Sequence, residues 1–104
     1  MERYRIELTL SAKRDMRETY SYIANTLKEP NIAGKLLDKM AAEIAKLKTM
    51  PKRHGLERDE KLKRRNLRKL IVDNYLIFYT VHEKSTTVFI VRILYARRDW
   101  VNLL

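Results

Sequence analysis

The fold is decided by the stretch LRKLIVDNYLIFYTVH, residues 67–82. Residues 67–72 and 75–82 are rich in β-branched and aromatic side chains, a composition that is typical of strands. Asp73 and Asn74 stand between them, and both residue types tolerate the positive φ of a tight two-residue turn. We therefore predict a β-hairpin with strands over residues 67–72 and 75–82.

A third strand is predicted directly after this hairpin. Residues 83–85, Glu-Lys-Ser, supply a turn, and residues 86–94 are again rich in β-branched side chains with apolar groups on both faces. A strand that is apolar on both faces is typical of the centre of a sheet. The C-terminal half thus predicts three strands joined by hairpins.

The N-terminal half predicts one strand and two helices. Residues 4–10 alternate apolar and polar side chains, as a half-buried strand does. Ser11 is the expected N-cap of a first helix, whose apolar residues recur at spacings of three and four up to Leu27. Pro30 disfavours helix in the residue before it and ends that helix. A second helix is predicted over residues 32–48, and so short a linker favours an antiparallel helical hairpin.

The predicted order of elements is β-α-α-β-β-β. We expect an α+β fold in which the two-helix hairpin packs on an antiparallel sheet. Residues 51–65 show neither helical nor strand periodicity and are predicted to be a basic loop. A chain of 104 residues is expected to form one domain, residues 1–104.

The composition favours a cytoplasmic protein. The chain has no cysteine, which fits a reducing compartment. Its apolar runs are far shorter than the roughly 20 residues that span a bilayer, and its first residues lack the apolar core of a signal peptide. We expect a soluble protein without a membrane partner.

The net charge of +10 is the most informative number in the composition. Residues 51–69 contain nine Lys or Arg against three acids and supply about +6 of it. So cationic a surface attracts either a phosphate polymer or an acidic protein.

Several kinds of chemistry are excluded by residue types. The two histidines, His54 and His82, have no cysteine or suitably spaced carboxylate near them in sequence, so no zinc site is expected. The two glycines do not form a phosphate-binding loop, and no serine has the context of a hydrolase nucleophile. We expect neither a metal nor a cofactor.

Cations and aromatic rings are interleaved in the C-terminal half. Arg and Lys bind phosphates while aromatic faces stack on unpaired bases, so the pattern is typical of an RNA contact. The residues assigned to nucleic-acid or target binding are Arg65, Arg68, Lys69, Tyr75, Arg97, Arg98 and Trp100. Two plainer interpretations stay open, a merely solvated basic loop and core positions for Tyr75 and Tyr79.

Four segments, in chain order, resemble the RelE/ParE superfamily of bacterial toxins. They are the opening at residues 4–16, the helix around Tyr20, Tyr22 and Ile23, the hairpin at 67–81 and the ending at 88–100. The resemblance covers nearly the whole chain and implies the fold predicted above. It implies the toxin of a type II toxin–antitoxin system, which arrests bacterial growth and has a cognate acidic antitoxin as its partner.

The resemblance leaves two targets open. RelE-like members are ribosome-dependent mRNA endonucleases, whereas ParE-like members inhibit DNA gyrase. Leu76 follows Tyr75 where ribonuclease members often have Arg, and Tyr95 stands where the family often has His. Residues 97–100 are also more similar to ParE-like endings. We therefore favour gyrase inhibition over the metal-independent endonuclease, and both over a stand-alone RNA-binding module or a purely structural partner protein.

The expected site depends on the target. In a nuclease, Lys69, Arg92, Tyr95 and Arg98 would act on one phosphodiester, with cations stabilising the developing charge and Tyr95 donating a proton. In a gyrase inhibitor, the same cations would be binding contacts. Residues 97–104 would then be the expected effector segment.

Overall fold

The structure, a computed structural model, describes residues 3–104. Met1 and Glu2, which the expected domain includes, lie outside the described residues. The helices and strands are β1 (Arg5–Leu8), α1 (Leu10–Ser21), α2 (Pro30–Ala45), α3 (Glu60–Arg64), β2 (Arg68–Val72), β3 (Tyr75–His82), β4 (Thr87–Tyr95) and α4 (Trp100–Leu103). A π-helical turn, Tyr22–Thr26, follows α1, and a 3-10 turn, Lys46–Lys48, follows α2. Within residues 3–104, none of the helices has the length and apolarity needed to cross a membrane.

The α+β fold is confirmed, with one correction to the sheet. The strand order is β1-β4-β3-β2, and β2, β3 and β4 pair antiparallel as the hairpins predicted. β1, however, pairs with β4 in parallel, so the sheet is mixed. The reason is that α2 returns the chain to the start of β1, where the Tyr4 amide donates to the Lys48 carbonyl at 2.7 Å. β1 and β2 therefore run in the same direction. β3 runs opposite to β2, and β4 runs opposite to β3, so β4 is parallel to β1.

The ends of the two long helices differ from the sequence prediction. Thr9, not Ser11, caps α1, because the Thr9 hydroxyl accepts from the Ala12 amide at 3.1 Å. The same hydroxyl donates to the Val91 carbonyl at 2.9 Å, so the cap also ties α1 to β4. Pro30 does not only end the first helix. It is the first residue of α2, where its missing N–H leaves no intrahelical partner unsatisfied.

The sheet is covered on both faces. On one face α1 and α2 bury Met40, Ile77 and Ile90 completely. Tyr79 lies in this core too, as one of the open interpretations had it, and its hydroxyl donates to the Pro51 carbonyl at 2.8 Å. We call this the helix face of the sheet. The opposite face has a smaller core of Leu62, Leu67, Leu76, Phe78 and Leu94, with Trp100 packed against it.

Short helices account for that smaller core. α3 lies inside residues 51–65, which were predicted to be a loop, so that prediction is wrong over Glu60–Arg64. The Asp59 carboxylate caps α3 by accepting from the amides of Lys61 and Leu62 at 3.0 and 3.3 Å. Leu62 is only 2% exposed and anchors the helix to the sheet. One turn is too short to show a period, which is why the pattern missed it.

Candidate functional site

A groove of about 820 Å³ opens on the helix face, where the helical hairpin meets the β2–β3 turn and the end of β4. Ile23 and Ile93 form part of its apolar floor, and the exposed side chains of Leu27 and Ile32 stand at its rim. The π-helical turn Tyr22–Thr26, with which the first helix ends, forms one wall. We call this cavity the helix-side groove.

Tyr75, Tyr95 and Arg98, three of the predicted site residues, line the helix-side groove. The rings of Tyr75 and Tyr95 meet edge to face, with centroids 5.4 Å apart. Burial raises the pKa of Tyr75 above its ordinary value, and the neighbouring hydroxyls of Tyr95 and Tyr22 raise it further. Tyr75 is therefore neutral at physiological pH. It can donate a hydrogen bond to a ligand but is a poor base.

Arg92 forms an ion pair with Asp15 beneath the groove. Asp15 accepts from Arg92 Nε at 2.7 Å, from Arg92 Nη2 at 3.0 Å and from the Ile93 amide at 2.9 Å. The side chains of Asp15 and Arg92 are 8% and 23% exposed. The hydrogen bonds to Asp15 raise the pKa of Arg92 above its ordinary value. Arg92 Nη1 donates to the Leu103 carbonyl at 2.7 Å, so the guanidinium joins α1, β4 and α4.

Lys69 and Trp100 lie on the face of the sheet opposite α1 and α2. Lys69 Nζ is 3.1 Å from Glu57 Oε1, an ion pair whose angles fall outside those of a hydrogen bond. The same ammonium lies 5.2 Å from the centroid of the Trp100 ring, within the range of a cation–π contact. Trp100 in turn packs on Phe78, with centroids 5.2 Å apart. Lys69 is thus held between a carboxylate and an aromatic face.

The remaining predicted cations divide between internal contacts and solvent. Arg65 Nη1 donates to the Leu104 carbonyl and Arg68 Nη1 to the His54 carbonyl, each at 2.6 Å. Arg97 is exposed and makes no side-chain hydrogen bond or ion pair with residues 3–104. Arg68 thus fastens the loop at His54 to β2, and Arg65 ties the end of α3 to Leu104, whereas Arg97 is open to a partner.

The four residues expected of a nuclease are not brought together at one point. Tyr95 and Arg98 line the helix-side groove, whereas Lys69 lies on the opposite face of the sheet. Arg92 starts from the same row of the sheet as Lys69, since both pair with Phe78, but its donors are directed at Asp15 and the Leu103 carbonyl. A phosphodiester held by Tyr95 and Arg98 would be separated from Lys69 by the sheet itself.

Sequence reasoning overlooked two features of this region. Asp15 falls within the apolar stripe of α1, between Ala12 and Met16, and an acid in such a stripe is a signal for a buried partner. The second is the set of exposed cations on α3, Lys61, Lys63 and Arg64. These three residues lie in the segment that was predicted to be a loop, and only the cations that follow them, Arg65, Arg68 and Lys69, were assigned to the site.

Metal binding receives no support from the described part of the chain. Residues 3–104 contain no group of three or more His, Asp or Glu side chains placed to hold a metal ion. The rings of His54 and Tyr79 meet edge to face, with centroids 6.3 Å apart, and burial lowers the pKa of His54 below its ordinary value.

The sequence matches a family model described as the ParE toxin of type II toxin–antitoxin system, parDE, over residues 6–100. That match spans nearly all of the sheet and both long helices. The chain belongs to the ParE toxin family. It is accordingly a toxin of a type II toxin–antitoxin system, and the resemblance to the RelE/ParE superfamily is confirmed. A comparison with curated proteins found no match.

Solved structures of toxins share the fold of this ParE family member. The chromosomal ParDE system from P. aeruginosa gives a TM-score of 0.73 at 18% identity, covering 90% of this chain and 97% of that chain. A mutant of E. coli toxin RelE in the free state gives 0.68 at 13%, covering 97% and 92%. The RelBE2 toxin–antitoxin complex from Mycobacterium tuberculosis gives 0.63 at 21%, covering 91% and 93%. At these identities the likeness establishes the fold.

Proposed function

We propose that this toxin arrests growth by inhibiting DNA gyrase and that it does not cleave RNA. The observation that carries the proposal is the separation of Lys69 from Tyr95 and Arg98 by the sheet. Membership of the ParE family, matched over residues 6–100, agrees with this proposal, because ParE-like toxins are the members that inhibit gyrase.

The environment of Arg92 also supports inhibition without catalysis. A cation that stabilises a transition state must point donors at the site where charge develops. All three nitrogens of the Arg92 guanidinium already donate within the protein, to Asp15 and to the Leu103 carbonyl. Freeing them would leave the nearly buried carboxylate of Asp15 without its partner, a costly change. Arg92 is therefore assigned to holding α1, β4 and α4 together.

The proposed partner that silences the toxin is an acidic antitoxin segment in the helix-side groove. The groove combines an apolar floor with a rim of both signs, in which Lys39 is paired with Asp73 and Glu18 is an exposed acid. Lys35 and Arg98 are the rim cations without an ion pair among residues 3–104. Such a surface fits an amphipathic helix whose apolar side faces inward and whose acids meet the rim. The net charge of +10 favours an acidic partner during the first encounter.

We predict that Ile32→Asp produces a toxin that its antitoxin no longer silences. Ile32 is 54% exposed at the rim, so the change leaves the core intact, and an acid is favourable in the first turn of α2. In the complex the carboxylate would be buried against apolar groups, and affinity should fall at least about 30-fold. Antitoxin affinity and rescue of growth are the measurements.

Leu10→Asp is the matched control for that variant. Leu10 is also an exposed apolar residue in the first turn of a helix, at 79% exposure, and it does not line the groove. This variant should arrest growth and still be rescued. Rescue that fails for Leu10→Asp but persists for Ile32→Asp would place the antitoxin elsewhere.

The target can be tested in arrested cells. After the toxin is induced alone, plasmid DNA should lose negative supercoiling while incorporation of labelled amino acids continues during the first minutes. Normal growth at confirmed expression would remove the toxin assignment. An immediate halt of translation with unchanged plasmid topology would remove the gyrase proposal and favour the RelE-like endonuclease.

A further inference from the structure

The outward side of α3 is a fan of cations. In an α-helix successive residues are rotated by about 100°, so with Leu62 buried beneath the helix, Arg64 points away from the protein and Lys61 and Lys63 flank it. All three side chains are exposed, and none makes a hydrogen bond or ion pair with residues 3–104. We call Lys61, Lys63 and Arg64 the α3 fan.

The charge of the α3 fan is poorly balanced by the acids of its own segment. The Glu57 side chain is paired with Lys69 and is only 14% exposed. Asp59 directs its carboxylate at the amides of Lys61 and Leu62 as the helix cap. Only Glu60 remains exposed beside the fan without a side-chain contact to the described residues. The fan therefore presents a local excess of positive charge.

The scaffold beneath the fan is fixed. Leu62 is 2% exposed in the smaller core, Asp59 caps the first turn, and Arg65 fastens the end of α3 to the Leu104 carbonyl at 2.6 Å. A basic surface on a fixed element loses less conformational entropy on binding than a basic tail does. This separates the fan from a merely solvated charge run.

The surroundings of the fan select the kind of nucleic acid. Recognition of single-stranded RNA relies on exposed rings that stack on bases. The nearest aromatic groups of the smaller core are not free, because Phe78 is fully buried and Trp100 is packed between Phe78 and Lys69. The fan thus offers charge without a stacking platform, which suits the regular phosphate backbone of a duplex. We propose that the α3 fan is a sequence-independent contact surface for duplex DNA.

Purified toxin tests this proposal without gyrase, so its outcome is independent of the proposed function. Binding to a labelled duplex of about 25 base pairs is followed by fluorescence anisotropy between about 50 and 200 mM NaCl. Affinity that depends on phosphate contacts falls steeply over this range of salt. The test variant is Lys61→Gln, Lys63→Gln, Arg64→Gln, whose glutamines keep a good helix propensity. The control is Lys13→Gln, Arg14→Gln, Arg17→Gln, which removes three exposed cations from α1 instead.

Three phosphate contacts predict a salt slope steeper by about 2.7 in the wild type and the control than in the test variant. That slope corresponds to about a 40-fold loss of affinity over this range of salt. At 50 mM NaCl the test variant should bind at least about tenfold more weakly than the control. Equal losses in the two variants, or no binding by the wild type, would overturn the proposal. Tighter binding to a single-stranded RNA of the same length, equally reduced by the test variant, would assign the surface to RNA and overturn it too.

Discussion

Replacing Asp15 with alanine is expected to lower the free energy of unfolding by about 3–5 kcal/mol. The change leaves the Arg92 guanidinium, only 23% exposed, without its counter-charge, and it leaves the Ile93 amide without its acceptor. A loss of 3 kcal/mol corresponds to a fall in Tm of about 12–24 °C for a domain of this size. Thermal unfolding followed by circular dichroism measures it.

An exposed ion pair of similar length provides the control. Lys39 Nζ and Asp73 Oδ1 are 3.0 Å apart, but their side chains are 58% and 48% exposed. Lys39→Ala, which removes the pair from the helical side and leaves Asp73 in its turn, should therefore cost at most about 1 kcal/mol. Removing both members of the buried pair, Asp15→Leu with Arg92→Met, should restore part of the loss because no charge remains uncompensated. A single Asp15→Ala variant as stable as Lys39→Ala would contradict the structural role given to Arg92.

Gyrase inhibition is expected to depend on the exposed residues that follow β4. Arg97 is free of internal contacts and Val101, on α4, is 38% exposed. Arg and apolar side chains at the centre of an interface each contribute most when they become fully desolvated. The double variant Arg97→Glu, Val101→Glu should raise the concentration needed for half-inhibition at least about 30-fold. Trp100, Leu103 and Leu104 stay in place, since deleting residues 99–104 would uncover the smaller core.

The matched control carries the same two kinds of change at the other end of the sheet. Lys84 is exposed in the β3–β4 turn, and Met50 is 52% exposed after α2. Lys84→Glu with Met50→Glu should inhibit gyrase like the wild type. Both double variants should keep the antitoxin affinity within about threefold, because none of the four residues lines the helix-side groove. Equal loss of inhibition in the two would point to net charge rather than to the segment after β4.

The parts of the fold predicted from sequence are those with local causes. The β2–β3 hairpin follows from its β-branched residues and from Asp73, whose φ of 52° is one that Asp tolerates. The parallel pairing of β1 with β4 has no such cause. Alternation in residues 4–10 indicates a strand but not its neighbour, and the neighbour depends on where α2 brings the chain. α3 was missed because a single turn shows no periodicity.

The site could be predicted by residue type but not by environment. Lys69 and Arg92 were chosen because they are cations in a basic, aromatic region, yet their partners Glu57 and Asp15 are distant or inconspicuous in sequence. Asp15 is 77 residues from Arg92. Whether a cation is free or already paired is decided by tertiary contacts. For the same reason, the unpaired Lys61, Lys63 and Arg64 could not be told from their engaged neighbour Arg65 before the fold was known.

The most direct test of the central claim compares two purified reactions at the same toxin concentrations. In one, gyrase introduces supercoils into a relaxed plasmid with ATP. In the other, ribosomes translate a defined mRNA whose length is read by primer extension. We predict that the toxin blocks supercoiling while the mRNA stays full length. Unaffected supercoiling together with codon-phased cuts in the ribosome-bound mRNA would contradict the proposal.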